Sequence, residues 1–254
     1  MMMIKTLNLF LFCFLISIAV FSQSKKQYIK AKVSYGIKTY IDKNLGRHRV
    51  LLGSFPESMP KVETVASEFD FTLVFNDSIS IFYLERKLFS AKLAAFLTTT
   101  HVGFYGRIKQ QPNNYITEEL QEDFGKFLVA RSYQEWQLHD ETKMIGEYLC
   151  FKATTSNTIT NPKGEVFTRN FTAWYTPQLL YKYGPLGYGN LSGLIIELQG
   201  EGFTYGVKKI VFYEDIEETK ENKMPALKRK KLITEVEFEK LAAEDEKRWL
   251  NKNE

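Results

Sequence analysis

Between Phe171 and Leu198 the chain reads FTAWYTPQLLYKYGPLGYGNLSGLIIEL, and this stretch restricts the fold more than any other. It starts as an alternating run, with Phe171, Ala173 and Tyr175 on one face and Thr172, Trp174 and Thr176 on the other. Pro177 cannot donate to a sheet ladder and so closes that strand. Gly184, Pro185, Gly187, Gly189 and Gly193 then punctuate a loop whose backbone can turn sharply and approach its neighbours closely. The run resumes as Leu194-Ile195-Ile196, apolar on consecutive positions and so suited to a strand covered on both faces. A loop rich in aromatic residues and glycine, held between two such strands, belongs inside the sheet and not at its margin. Its expected structural turn residues are Pro177, Gly184, Pro185, Gly189 and Gly193.

The rest of the chain repeats the strand pattern. Tyr28 to Tyr40 alternates through Ile29, Ala31, Val33, Tyr35 and Ile37, with Gly36 as a bulge position. FDFTLVF and SISIFYLE flank Asn76-Asp77 and predict a hairpin. Ile41 to Lys61 reads as loop, followed by a helix over Val62 to Ser67. A short amphipathic helix is expected within Arg86 to Thr100, using Leu88, Ala91, Leu93, Ala95 and Phe96, and Gln110 to Asn114 reads as polar loop. Further strands are expected at Lys126 to Ala130, Glu135 to Leu138, Lys143 to Ala153 and Glu165 to Thr176, with a turn at Asn161 to Gly164. Phe203 to Ile216 is the expected final strand. Aromatic residues make up 15% of the chain, including 20 Phe and 14 Tyr, which favours strands over a helical bundle. The expectation is a mainly β fold: one large curved antiparallel sheet, half-barrel-like, with one or two covering helices.

At Phe124 to Tyr213 the chain resembles the GLPGLI family of exported bacteroidete proteins. The resemblance rests on the ordered steps Trp136-Gln137-Leu138, Lys143 to Cys150, Lys152-Ala153, the AWYTP strand of Ala173 to Pro177, Gly184-Pro185 and the run ending Gly193-Leu194-Ile195. Here Asn190 stands where the family has its first Gly, and Ser192 where it has Pro. The family has no settled activity, so the resemblance implies compartment and architecture only.

Three segments follow from local composition. Lys5, the apolar run from Leu7 to Phe21 and Ser22 have the order of a signal peptide over residues 1–22, and the run is short of the ~20 residues of a spanning helix. Residues 23–216 form the antiparallel β domain. Residues 217–254 form a charged linker, with Lys228 to Lys231 at its centre, and a terminal helix. Thr234 and Glu237 make its capping box, and Phe238, Leu241, Ala242 and Trp249 lie near one face. Export places the protein in the periplasm or at the outer-membrane periphery.

Few residues point to chemistry. Beyond the signal segment Cys150 is the only thiol, so no intramolecular disulfide is expected. A Cys150 nucleophile with His101 or His139 needs a base within hydrogen-bonding reach, whereas Leu149 and Phe151 point to a buried, inert thiol. His139-Asp140-Glu141 lacks a second His or a Cys pair for a metal. There is no Walker loop and no GxSxG elbow, and GPLGYGN is followed by a strand and not by the helix of a dinucleotide site, so no cofactor is expected. A formal charge of +4, from 34 basic and 30 acidic residues, offers no concentrated face for nucleic acid. The binding candidates are therefore aromatic: Trp136, Trp174, Tyr175, Tyr181 and Tyr183. The expected function is a noncatalytic binding or accessory protein of the cell envelope, its sheet face receiving an apolar ligand or an envelope partner. An envelope hydrolase using Cys150 or carboxylates is the alternative.

Export predicts cleavage after Ser22. Intact-mass measurement on periplasmic protein should give a chain beginning at Gln23, and a chain retaining Met1 would refute it.

Overall fold

In the computed structural model, the residues described are 29–42, 48, 52–121, 125–160, 166–213, 227 and 230–252. Twelve strands form one open sheet: β1 (Ala31–Thr39), β2 (Phe71–Phe75), β3 (Ser80–Leu84), β4 (Ile108–Gln110), β5 (Tyr115–Gln121), β6 (Gly125–Arg131), β7 (Gln137–Ile145), β8 (Tyr148–Thr160), β9 (Val166–Thr176), β10 (Leu194–Gly200), β11 (Phe203–Phe212) and β12 (Lys231–Thr234). Their order across the sheet is β12-β6-β5-β4-β3-β2-β1-β11-β10-β9-β8-β7. Neighbours pair antiparallel except β12, which runs parallel to β6. Among the described residues, the helices that accompany them include α1 (Val62–Ala66), α2 (Lys92–His101) and α3 (Glu235–Lys252), with short 3-10 turns at Met59–Lys61 and Pro185–Gly187. None of the helices among the described residues is long and apolar enough to cross a membrane.

The mainly β architecture is as the alternation predicts, and β1 buries the residues that the pattern assigns inward: Ala31, Val33, Tyr35 and Ile37. The Asn76-Asp77 hairpin also forms. Phe71, Leu73 and Phe75 enter the main core with Phe82. Phe71, Phe82, Phe104 and Tyr205 meet there with ring centroids 5.1–6.0 Å apart, stacked or edge-on, the separations aromatic pairs prefer. Val74 and Ile81, one position out of phase with Leu73 and Phe82, join a satellite cluster on the other face with Tyr83, Tyr213 and Leu227.

Several local expectations are corrected. In α2 the buried residues are Ala94, Ala95, Leu97, Thr98 and His101, whereas Leu88, Leu93 and Phe96 are exposed, so the small residues face the core. Gln110 ends β4 as a fully buried side chain and is not part of a polar loop. Lys143 to Ala153 is not one strand but a hairpin, because Gly146, at φ +60°, turns β7 into β8. The strand ending at Phe212 is not the last, since β12 follows it. The Asn161 to Gly164 turn lies outside the described residues.

The C-terminal segment docks on the sheet. Ile233 of β12 packs with Phe127 and Val129, and Phe238 and Leu241 of α3 close over them. The capping box forms as its sequence predicts: Glu237 N–H donates to Thr234 Oγ1 at 3.2 Å, and Thr234 N–H donates to Glu237 Oε2 at 2.7 Å.

The Pro177 to Gly193 loop lies within the curl of the sheet, with Tyr183 to Gly189 continuously buried. It hydrogen-bonds to the strand that follows it: Leu194 N–H to Leu179 O and Ile195 N–H to Tyr183 O, both 3.0 Å. Asn190 takes a left-handed backbone, φ +62°, at the position where the resembling family has Gly, a conformation Asn tolerates better than most residues. Gly193 does not have a positive φ. A Cβ there would instead collide with the carbonyl of Thr176 at the end of β9.

Gly193→Val must therefore separate the loop from β9, and the expected loss exceeds ~2 kcal/mol, in the range of severe backbone clashes. Ser192→Pro, in the same turn, is expected to be neutral or mildly stabilising. Denaturant melts of both variants decide the matter, and a Gly193→Val protein as stable as wild type would show that the turn is not under constraint.

Candidate functional site

Strands far apart in the sheet order face one another across a cavity of about 1150 Å³. One wall carries Ile108, Tyr115, Thr117, Glu118, Glu119 and Arg131 from β4 to β6. The opposite wall carries Ser156, Asn157, Thr158, Arg169 and Phe171 from β8 and β9. The end of α2 contributes His101, the buried loop contributes Leu186 and Tyr188, and α3 contributes Glu235, Phe238, Glu239 and Ala242. A second chamber of about 700 Å³ lies beside it, lined by Trp136, Gln137 and Thr172 among others. Gln134, Ser156, Asn157 and Phe171 line both, so they form a sill between the two.

The floor is pinned by Gln110. Its Oε1 accepts from Ser80 Oγ at 3.0 Å and from Gly184 N–H at 3.2 Å, while its Nε2 donates to Tyr188 O at 3.0 Å. One amide thus ties β3 and β4 to the loop and leaves none of these buried groups unpaired. Leu186, with φ +56°, is held in a backbone region costing non-glycine residues of order 1–3 kcal/mol, and it lines the cavity. Tyr188 packs on Phe171 at 4.6 Å and accepts a hydrogen bond from Asn157 Nδ2 at 3.1 Å. Burial pushes its hydroxyl well above the ordinary tyrosine pKa.

Arg131 organises the charged wall. Its Nη2 lies 3.4 Å from Glu119 Oε1, its Nη1 pairs with Glu235 at the start of α3, and its Nε donates to Thr117 Oγ1 at 3.3 Å. Its guanidinium stands 5.8 Å from the Phe238 ring centre. Burial alone would lower the Arg131 pKa, but Glu119 and Glu235 more than offset it and raise it. For Glu119 the balance goes the other way: burial raises its pKa, and Arg131 only partly compensates. Glu118 pairs with Lys230 at 3.5 Å, just before β12. Both pairs fasten the C-terminal segment to the cavity wall.

The aromatic residues chosen from sequence are not gathered around one cavity. Trp136 lines the second chamber, its indole N–H donating to Gly189 O at 2.8 Å and its ring edge-on to Tyr188. Trp174 lies on the opposite face of β9 from Phe171, beneath the Lys143 ammonium 4.2 Å from its ring centre, and Lys143 in turn pairs with Glu197 at 2.7 Å. Tyr175 is buried beside Phe151. Tyr181 and Tyr183 pack on Phe75, and the Tyr183 hydroxyl donates to Asn76 O at 3.2 Å. These last four line neither chamber. Pro177 follows β9 directly, and Gly184, Pro185 and Gly189 sit in the buried loop, where a Cβ on Gly189 would meet Gln110 and the Lys182 carbonyl.

The thiol reading finds no support in geometry. Cys150 is fully buried, lines neither chamber, and burial, opposed by Lys143, pushes its pKa up to about 11. His139 hydrogen-bonds to Thr154 Oγ1 at 2.8 Å, four residues along β8 from Cys150 and so about 13 Å away at strand rise. His101 is turned to Gly202 O, 2.9 Å from its Nε2, and packs against His48. Among the described residues, no group of three or more His, Cys, Asp or Glu converges to hold a metal ion.

Sequence reasoning missed Arg131, Glu119, Arg169 and Gln134. A usable signal existed at Arg169, a cation in phase with Phe171, Ala173 and Tyr175 on the inward face of β9. None existed for Glu119, whose ion-pair partner Arg131 lies on β6.

Because the folded protein holds the Glu119 carboxyl above its ordinary pKa, the folded state binds that proton more tightly than the unfolded chain. Its contribution to stability is full below the ordinary glutamate value and is lost as pH rises through the raised value. Glu119→Gln has no such loss. The melting temperature of the variant minus that of wild type should climb with pH across this window, and a flat difference would contradict the assignment.

No family model matches the chain, and no curated protein matches it. Among solved structures, it is similar to PNGF-II in a C2 space group, with a TM-score of 0.48 and 11% identity, over 86% of this chain and 33% of that chain. PNGF-II in a P21 space group gives 0.47 and 11%, over 83% and 32%. The chain spans about a third of the length of these structures.

Proposed function

We propose that this chain is an exported, noncatalytic binding protein of the cell envelope, and that its ligand occupies the chamber bounded by β4–β6, β8–β9 and α3. Export and membership of the GLPGLI family belong to this proposal and rest on the sequence features above. The carrying observation is the cavity itself: about 1150 Å³, walled by aromatic rings, with Arg131, Glu119 and Glu235 already engaged by one another. Charges held in pairs stabilise a shape and leave no obvious nucleophile and base aimed at a common point. The cavity lining is mixed, so of the apolar ligand or envelope partner expected from sequence we keep a ligand, one that carries polar groups.

One observation favours a second reading. Glu119 is a partly buried carboxyl of raised pKa at the edge of a large chamber, the condition of a general acid, and it would serve a hydrolase that uses carboxylates.

Native mass spectrometry of the protein purified from cell envelopes should show a noncovalent adduct that is lost in Ala242→Trp, which fills the chamber from α3. An adduct undiminished in that variant places the ligand elsewhere. Incubation should leave the released ligand at unchanged mass. A product that forms with wild type but not with Glu119→Gln would establish the hydrolase instead.

A further inference from the structure

Resting on the proposal that the chamber is a binding site, we infer that its ligand is an acidic oligosaccharide lying across the sill between the two chambers, with its acid group held by Arg169. The first argument is shape. A chamber of about 1150 Å³ already exceeds the ~300–1,000 Å³ of ordinary small-ligand pockets, and a second of about 700 Å³ continues from it over shared residues. A two-lobed trough fits an extended ligand with several units better than a single compact molecule.

The second argument is charge. Arg131 is committed to Glu119 and Glu235. Arg169 differs: it lines the larger chamber, and among the described residues it has no carboxylate at ion-pair distance. It stands directly across the β8–β9 ladder from Asn157, whose amide donates to the Tyr188 hydroxyl. A guanidinium beside amide and hydroxyl donors, with no carboxylate at ion-pair distance among the described residues, is complementary to an anion and offers it two parallel hydrogen bonds.

The third argument is the sill. Gln134 donates from Nε2 to the Tyr115 hydroxyl at 3.1 Å, while its Oε1 is buried with no hydrogen-bond partner. Burying an acceptor without a donor costs about 1–3 kcal/mol, and a ligand hydroxyl laid over the sill removes that cost. Ser156 and Asn157 add further hydroxyl and amide groups, and Phe171 a ring, which is the mixture a hydroxylated ring compound uses. A peptide fits less well. The sill binds through side chains: β8 is paired with β7 only up to Thr154 and β9 with β10 only from Thr172, and a peptide adding to the strand edges left there would read out neither Arg169 nor Gln134.

The test uses the exported protein and a panel of uronate-containing, sulfated and sialylated oligosaccharides, each beside its neutral counterpart. For the uronates that counterpart is the methyl ester, which keeps the shape and removes the charge. Titration calorimetry and Trp136 fluorescence should show at least one acidic member binding at least tenfold more tightly than its neutral counterpart. Arg169→Gln should remove that difference, and Gln134→Leu should weaken both, each variant melting as wild type does. Equal binding of acidic and neutral members overturns the anionic assignment while leaving the chamber a binding site. No binding by any member, with an envelope-derived adduct still lost in Ala242→Trp, overturns the saccharide class alone. If a peptide proves to be that adduct, the inference is likewise wrong.

Discussion

The side-chain amide of Gln110 sets the interior of this protein. A buried amide must satisfy both its donor and its acceptor, and here it does so by joining Ser80, Gly184 and Tyr188, which come from β3 and from a loop far away in sequence. The loop between β9 and β10 is thereby held against the inward face of β3 and β4 and cannot project into solvent. The floor of the chamber follows from that position. Leu186 is forced left-handed at the floor, Tyr188 is brought against Phe171, and Gly189 offers its carbonyl to Trp136. Hydrophobic burial stabilises the aromatic core, but it is non-directional. The amide supplies the direction.

Around this floor the two walls are built differently. The β8–β9 wall is a long antiparallel ladder whose side chains are fixed by alternation alone, so a cation at Arg169 points inward because Phe171 does. The β5–β6 wall depends on elements that arrive later in the chain. Arg131 and Glu118 each reach across to Glu235 and Lys230, so electrostatics there fasten the C-terminal segment as well as shaping the surface. Arg131, Glu118 and Lys230 sit at low exposure, where losing a partner leaves a poorly solvated charge, whereas Glu235 reaches solvent.

This division also explains how much could be read from the sequence. Strands with one buried face announce themselves by a period of two, and β1, the β2–β3 hairpin, β9 and β11 were legible for that reason, whereas β10 showed as a consecutive apolar run. The burial of the Pro177 to Gly193 loop was legible too, from glycines that only close packing requires. The β7–β8 hairpin was not, because Gly146 with Glu147 is a weak turn signal inside a run of β formers. Gln110 read as loop because a polar residue after Lys109 and before Pro112 has no local mark of burial; its partners are 30 and 74 or more residues away. The site residues were obscured in the same way. Aromatic residues were the natural candidates, yet most of them fill the core, and the groups that meet in the chamber are brought together only by the curl of the sheet.

The parallel pairing of β12 with β6 separates the chamber from the rest of the fold in time. Every other ladder joins strands that lie earlier in the chain, and α3, which supplies Glu235 and Phe238 to the chamber, follows all of them. A domain emerging from its N-terminus during synthesis can therefore assemble the curled sheet, the loop and the aromatic core before its last wall exists. Until β12 pairs with β6, the chamber lacks the wall that α3 supplies. Docking of β12 and α3 is thus the step that adds the last wall of the site.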